Sequence, residues 1–391
     1  MRIKKNEFGE LVKAYRKQRG WTQEELAERW GYSRVYISQI ELGKRKLDSA
    51  SQVTRLADIL DIPQEKLEAI GRGIPQRKIE VMSSKEADSA ILQMLLAQSR
   101  DKIRLSYLAW LGDQHPAIEE DIHSLAAQLE NALTLYRGEF MKPAQQLLAY
   151  THQMRGRIAY DRLDFITSAG HYSEMIELGN ELNDADIVTI GMVRQGSIHR
   201  KRGRIETALR CFEAAKLYAN VASEQVQGVR HLHTATAYAD LGNEEGFTRS
   251  IHLALDIASN ITPNISSLAN EFTLDEVLLS QSTGLSELWK PEDALEIYKK
   301  TDLLRPFRPL RERGRYLIEK AQAYLFAGDI DTGIKLTLEG LSLVEEYKSR
   351  RHIGWVERTY NRLRVLPSGG DKRLNTLRDA LVEARRKQAS W

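Results

Sequence analysis

Three stretches of this chain share one turn and one pattern of small residues, and a repeat of that kind restricts the fold more than any other feature of the sequence. They are Arg202-Gly203-Arg204-Ile205-Glu206-Thr207-Ala208-Leu209, Leu288-Trp289-Lys290-Pro291-Glu292-Asp293-Ala294-Leu295 and Ala327-Gly328-Asp329-Ile330-Asp331-Thr332-Gly333-Ile334. A weaker copy runs Leu241-Gly242-Asn243-Glu244-Glu245-Gly246-Phe247, and a fainter one starts at Ala169-Gly170-His171-Tyr172. In the strong copies a small residue (Ala208, Ala294, Gly333) follows the turn, and another (Gly196, Ser282, Ala321) lies twelve positions before it. Phe212, Tyr298 and the less apolar Thr337 lie four positions after it. Small residues at these points let two antiparallel helices approach closely, because interaxial distance is set by the side chains at the contact. The larger side chain then plugs the next layer.

This pattern resembles the tetratricopeptide repeat. The turns lie 39, 47 and 39 residues apart, longer than the ~34 residues of that family. Residues 263–275 (PNISSLANEFTLD) are the obvious insertion. The resemblance implies five or six helical pairs over roughly 140–390, stacked as a right-handed superhelix. Helical periodicity dominates from residue 84 onward, with no convincing strand alternation. Residues 84–111 and 116–138 read as two long helices, broken at Gly112 and at His115-Pro116.

The amino-terminal 70 residues have a different grain. Thr22 with Glu25 three positions on forms a capping box that opens a helix. Leu26, Ala27 and Trp30 share its inner face, and Gly31 suits a left-handed cap. Ser33 caps a second helix with Ile37 and Ile40 inward, closing at Gly43. An earlier stripe (Phe8, Leu11, Val12, Tyr15) predicts a helix ending near Gly20. A later stripe (Val53, Leu56, Ala57, Leu60) predicts another, and Pro63 opens a short fifth with Leu67 and Ile70 inward.

A helix, a four-residue turn, a helix and a basic loop are what places one short helix in the major groove of DNA. The residues not needed for the core carry the chemistry. Arg34 suits guanine, Gln39 adenine and Val35 a thymine methyl, with Ser38 beside them as a further base-reading candidate. Gln23, Tyr36, Lys44, Arg45 and Lys46 surround that face and suit phosphate oxygens. Residues 1–46 hold 12 Lys and Arg against 6 Asp and Glu, while the whole chain is only +3. Positive charge is therefore concentrated where the groove reader is expected.

The string TQEELAERWGYSRVYISQIELGKRK resembles the Cro/cI-type (XRE-like) helix-turn-helix domain over residues ~7–70. The resemblance implies operator binding as a two-fold homodimer on palindromic half-sites. It also implies a structural ion pair between the first helix and the end of the third, at Arg16 and Glu41. Leu47 departs from the pattern, where many relatives carry proline, and so do the bulky Trp30 and Tyr32 around the turn.

At 391 residues the chain is far longer than one such domain. The expected division is 1–72 for the DNA-binding domain, 73–83 for a Gly- and Pro-containing linker, 84–139 for a helical connecting region and 140–391 for the repeats. The fold class is all-α: a five-helix DNA-binding domain followed by a right-handed α-solenoid like that of tetratricopeptide repeats. No run of 18 apolar residues occurs, so no membrane partner is expected. The single cysteine, Cys211, cannot form an internal disulfide, and a cytoplasmic setting with a packed thiol is expected.

A solenoid presents a long concave surface, and polar residues on the first helices of the pairs are its candidate ligand contacts: Arg194, Gln195, His199, His231, Tyr238, Arg315, Glu319 and Gln322. No G-x-x-x-x-G-K-[ST], G-x-S-x-G or H-E-x-x-H motif is present. His231 and His233 fall on different helix faces, so no metal, cofactor or enzyme activity is expected.

The combined layout resembles the RRNPP group of peptide-sensing regulators of Gram-positive bacteria. That resemblance implies a transcriptional regulator whose repeats bind a short peptide and so control dimer geometry. Two alternatives remain: repeats that dock a protein partner, and an adaptor that sequesters another protein.

Overall fold

The computed structural model describes residues 6–30, 32–45, 47, 50–70, 84–112, 115–135, 138–264, 266–389 and 391. It divides into two compact units, 1–88 and 89–391. The expected linker at 73–83 and the expected cap at Gly31 lie outside the described residues. Among the described residues every regular element is helical, and no helix is long and apolar enough to cross a membrane.

The first unit holds α1 (Glu7–Gln18), α2 (Gln23–Trp30), α3 (Arg34–Glu41), α4 (Ala50–Ile59) and α5 (Gln64–Ala69). The capping box is reciprocal: Glu25 N donates to Thr22 Oγ1 at 3.1 Å, and Thr22 N donates to Glu25 Oε2 at 2.6 Å. Ser33 Oγ accepts from Tyr36 N at 3.3 Å and starts α3. Gly20 and Gly43 sit at φ +72° and +69°, where a side chain is strained. One core of Phe8, Val12, Leu26, Trp30, Ile37, Ile40, Leu56, Leu60 and Leu67 joins all five helices. Leu47 is buried in it, so the residue that replaces the usual proline contributes packing.

The second unit continues α6 (Ser84–Leu111) and adds α7 (His115–Leu135), followed by six helical pairs. The pairs are α8 (Met141–Asp161) with α9 (Phe165–Leu182), α10 (Ala185–Lys201) with α11 (Ile205–Ala219), and α12 (Glu224–Asp240) with α13 (Glu244–Asn260). Then come α14 (Leu274–Glu287) with α15 (Pro291–Leu304), α16 (Leu310–Phe326) with α17 (Ile330–Glu346), and α18 (Arg350–Leu363) with α19 (Leu374–Gln388). The small residues Gly196, Ala208, Ser282, Ala294, Ala321 and Gly333 are all buried, as are Phe212, Tyr298 and Thr337. A Cβ on Gly196 would lie 2.3 Å from the Phe212 ring, so α10 and α11 approach only because that position has no side chain.

One repeat starts elsewhere than the sequence indicates. Ala169-Gly170-His171-Tyr172 lies inside α9, and the turn is at Leu163, which takes φ +64° without being glycine. Asp164 caps α9 by accepting from Thr167 N at 3.1 Å. The spacing from this turn then restores the pattern: Gly156, Ser168 and Tyr172 are buried, and Tyr172 covers Gly156.

The insertion turns inward. Leu268, Ala269 and Phe272 are buried, and the Phe272 ring occupies the space over Gly228 of α12. Gln153 of α8 donates to Leu268 O at 2.8 Å, and Gln225 of α12 donates to Ala269 O at 2.8 Å. The concave side is therefore partly filled by the chain itself.

Candidate nucleic-acid interface and central cavity

In the first unit, α3 is held from three sides. Asn6 caps α1 by accepting from Gly9 N at 3.2 Å, while its amide donates to Ile40 O and Glu41 O at 3.1 and 3.0 Å. Sequence reasoning missed this clamp, although an Asn one position before the first helix is a legible cap signal. Arg16 grips Glu41 through two hydrogen bonds of 2.5 and 3.0 Å, both side chains nearly sealed from solvent. Gln23 donates to the same carboxylate at 2.7 Å. Burial opposes the Glu41 charge. The hydrogen bonds from Arg16 and Gln23, with the Arg16 and Lys13 charges, outweigh it and hold its pKa below the ordinary value.

The outer face of α3 carries Arg34 and Val35 exposed, with Ser38 and Gln39 half-buried. Arg34 Nε lies 3.5 Å from the exposed carboxylate of Glu24, a solvated pairing that a stronger acceptor can displace. Lys44 and Arg45 are exposed just past the helix. Arg45 stacks over Tyr36 at 4.4 Å, and Tyr36 stacks on Tyr32 at 4.7 Å, which packs on Trp30 at 4.3 Å. The bulky residues around the turn thus form an aromatic column beneath the basic loop. Lys46 lies outside the described residues. Gln23, a phosphate candidate by sequence, has its amide committed to Glu41.

Residues 7–70 match the family model described as helix-turn-helix domain. Over 60 residues the chain is 42% identical to the HTH-type transcriptional repressor RghR of Bacillus subtilis (strain 168), covering 15% of this chain and 44% of that protein. It is 38% identical over 60 residues to the uncharacterized HTH-type transcriptional regulator YazB of the same strain, covering 15% of this chain and 86% of that protein. The chain belongs to the helix-turn-helix transcriptional regulators. The matched segment spans less than half of RghR, so the likeness concerns the DNA-binding unit. Over 76% of this chain and 94% of the other, the structure is also similar to that of Bacillus thuringiensis PlcR in complex with the peptide PapR7 and DNA, at 18% identity and a TM-score of 0.38. That global likeness is too loose to carry a functional conclusion.

In the regulator's second unit, the first helices of the pairs surround a cavity of about 200 Å³. It is lined by alternating signs: Arg157 (α8), Arg194 (α10), Glu276 (α14), Arg315 and Glu319 (α16) and Arg351 (α18), with Glu271 contributed by the insertion. Glu271 pairs with both Arg157 and Arg194, and Glu276 pairs with Arg315. Burial pushes the Glu319 carboxyl up to about 7 against the pull of Arg315. Burial also lowers Arg194, to about 10. Arg194 Nε, Glu319 Oε2 and the Trp110 indole nitrogen are buried polar atoms with no hydrogen-bond partner among the described residues.

Of the eight ligand candidates read from sequence, the structure gathers Arg194, Arg315 and Glu319 at this cavity. Gln195, His199, His231, Tyr238 and Gln322 lie off it. Gln195 donates to Ser173 at 3.0 Å, His231 meets Arg230 at 3.1 Å, and Gln322 donates to Glu287 at 2.9 Å. Tyr238 covers Gly246. On α12 the histidine that lines the cavity is His233, whose Nδ1 lies 3.0 Å from Ser197 Oγ. The missed lining residues follow a polar stripe of helical spacing, Glu276, Ser280 and Thr283 on α14 and, in step with the candidates Arg315 and Glu319, Glu312 on α16. Cys211 is half-buried, and burial pushes its thiol up.

Proposed function

We propose that this transcriptional regulator reads an operator with Arg34, Val35, Ser38 and Gln39, anchored on phosphates by Tyr36, Lys44 and Arg45, as a two-fold homodimer. Its repeat unit senses a short peptide, part of which enters the central cavity. The observation that carries this reading is the cavity wall itself. It presents buried cations and anions side by side, with polar atoms of Arg194, Glu319 and Trp110 left without partners among the described residues. An unpartnered buried polar atom costs free energy that a ligand carrying both donors and acceptors recovers. A peptide terminus and its adjoining backbone have that chemistry. Binding shifts dimer geometry only through unequal affinity for two arrangements, and the helices of six pairs meeting at one cavity are suited to such a bias.

The test is mass spectrometry of the full-length protein purified from cell lysate, followed by Arg194→Ala and Glu319→Ala variants. A short peptide that co-purifies with the wild type and is lost from the variants supports the proposal. A stoichiometric protein in its place establishes the docking alternative.

A further inference from the structure

Helix α6 is apolar on two opposite faces, and among the described residues only one of them is covered. Leu92, Ser99, Ser106 and Trp110 are buried, with Leu96 and Ile103 half-buried beside them. On the other side Ile91, Met94, Leu105 and Leu108 are 52, 58, 57 and 55% exposed. With Gln98 and Asp101, also exposed, these positions step by three and four residues, which is a heptad seam. Four large apolar side chains aligned on one solvent-facing ridge differ from the scattered exposure expected of a surface helix.

The seam is self-complementary. Reversing it about the point between Ser99 and Arg100 lays Ile91 on Leu108, Met94 on Leu105 and Gln98 on Asp101. We propose that α6 pairs antiparallel with α6 of a second copy of this chain in that register. Charge selects the direction. In the antiparallel arrangement each Asp101 carboxylate meets a Gln98 amide, which donates to it. A parallel arrangement would bury Asp101 against its own copy, and like charges facing each other at a seam are destabilising. Among the described residues Asp101 has one weak contact on its own helix, Arg104 at 4.0 Å, which leaves carboxylate oxygen available to the partner. A two-fold contact of this kind uses the same patch on both copies, as closed dimers do. The inference supplies a contact surface for the homodimer of the proposed function. Its test reads mass and cross-links, so it fails separately from DNA or peptide binding.

Sedimentation of the full-length chain is expected to show a two-chain species. Leu105→Asp, at an exposed position, is expected to raise the dimer dissociation constant at least ~10-fold. Asp101→Lys is expected to weaken the dimer, and Gln98→Glu added to it to restore it. In a Cys211→Ala background, a mixture of the Gln98→Cys and Asp101→Cys proteins is expected to form a disulfide-linked heterodimer faster than either protein links to itself. A monomeric wild type, a dimer indifferent to Leu105→Asp, or faster self-linkage of each single-cysteine protein overturns the proposal. A dimer that survives Leu105→Asp leaves the two-fold reading of DNA intact and places its interface elsewhere.

Discussion

Arg311, at the start of α16, donates to Asp161, at the end of α8, at 2.7 Å, and both side chains are almost completely buried. The two residues are 150 positions apart in sequence. Arg311 also donates to Trp110 O at 2.8 Å and Tyr347 O at 3.2 Å, while Asp161 accepts from Ser349 Oγ at 2.9 Å. The first repeat is thereby tied to the fifth and to the start of the sixth, which an open solenoid with nearest-neighbour contacts would not do. This closure is what converts a concave surface into a walled cavity.

Removing one partner of that pair strands the other. Asp161→Ala is expected to cost about 3–5 kcal/mol in urea unfolding of the second unit. The double variant Asp161→Leu/Arg311→Met is expected to cost much less, because no buried charge is left alone. Equal losses from the single and double variants would show that the site's packing matters and its charges do not.

Arg34→Ala and Gln39→Ala are each expected to lower discrimination between operator and random DNA by about 1–3 kcal/mol. Lys44→Ala is expected to weaken binding to both alike and to reduce the salt slope by about 1. Fluorescence anisotropy over a salt series separates the two behaviours. Loss of equal size on specific and random DNA from Arg34→Ala would remove it from base reading.

Gly196→Ala is expected to destabilise by about 1–3 kcal/mol, because the new methyl meets the Phe212 ring. Phe212→Leu in the same chain should return part of the loss. Gly170→Ala, where a Cβ has open space inside α9, is expected to stabilise by about 0.5–1 kcal/mol. Denaturant midpoints measured on the three variants decide between these signs.

Acid is expected to weaken the second unit before it weakens Glu41. Burial, with the His171 and Arg155 charges, lowers His152 to about 4. Burial and the Arg155 charge do the same for His171, whose Nδ1 lies 3.2 Å from that of His152. These rings are neutral in the folded chain and titrate at the ordinary histidine value when it unfolds. Their contribution is whole above pH ~6.5 and is lost as pH falls from there towards 4. Glu41, lowered from 4.5, contributes fully above that value and loses its contribution as pH falls below it. Thermal midpoints between pH 7.5 and 4 should fall for the wild type and fall less for His152→Gln/His171→Asn, in which His231, His233 and His352, also lowered by burial, still lose their contribution over the same range. A flat wild-type profile over that range would contradict buried neutral histidines.

The sequence by itself determined both local grammars. The capping box at Thr22 and Glu25, the Ser33 cap and the apolar stripes act over three or four residues, so they are legible without a partner segment, and all appear in the structure. The same holds for the small residues Gly196, Ser282 and Ala294, whose spacing encodes close helix contact. Even the Arg16–Glu41 pair was reachable through the motif it belongs to. Leu163 shows the limit, since a left-handed turn at a non-glycine residue leaves no compositional mark.

Only the tertiary structure decided where the repeat helices point and what they enclose. Gln195 and His199 sit on a helix that lines the cavity but on another face, because the closure by Asp161 and Arg311 sets which stripe turns inward. That closure depends on residues 150 positions apart and on an insertion folding back over Gly228. Such contacts form between surfaces created by folding, and no periodicity along the chain records them.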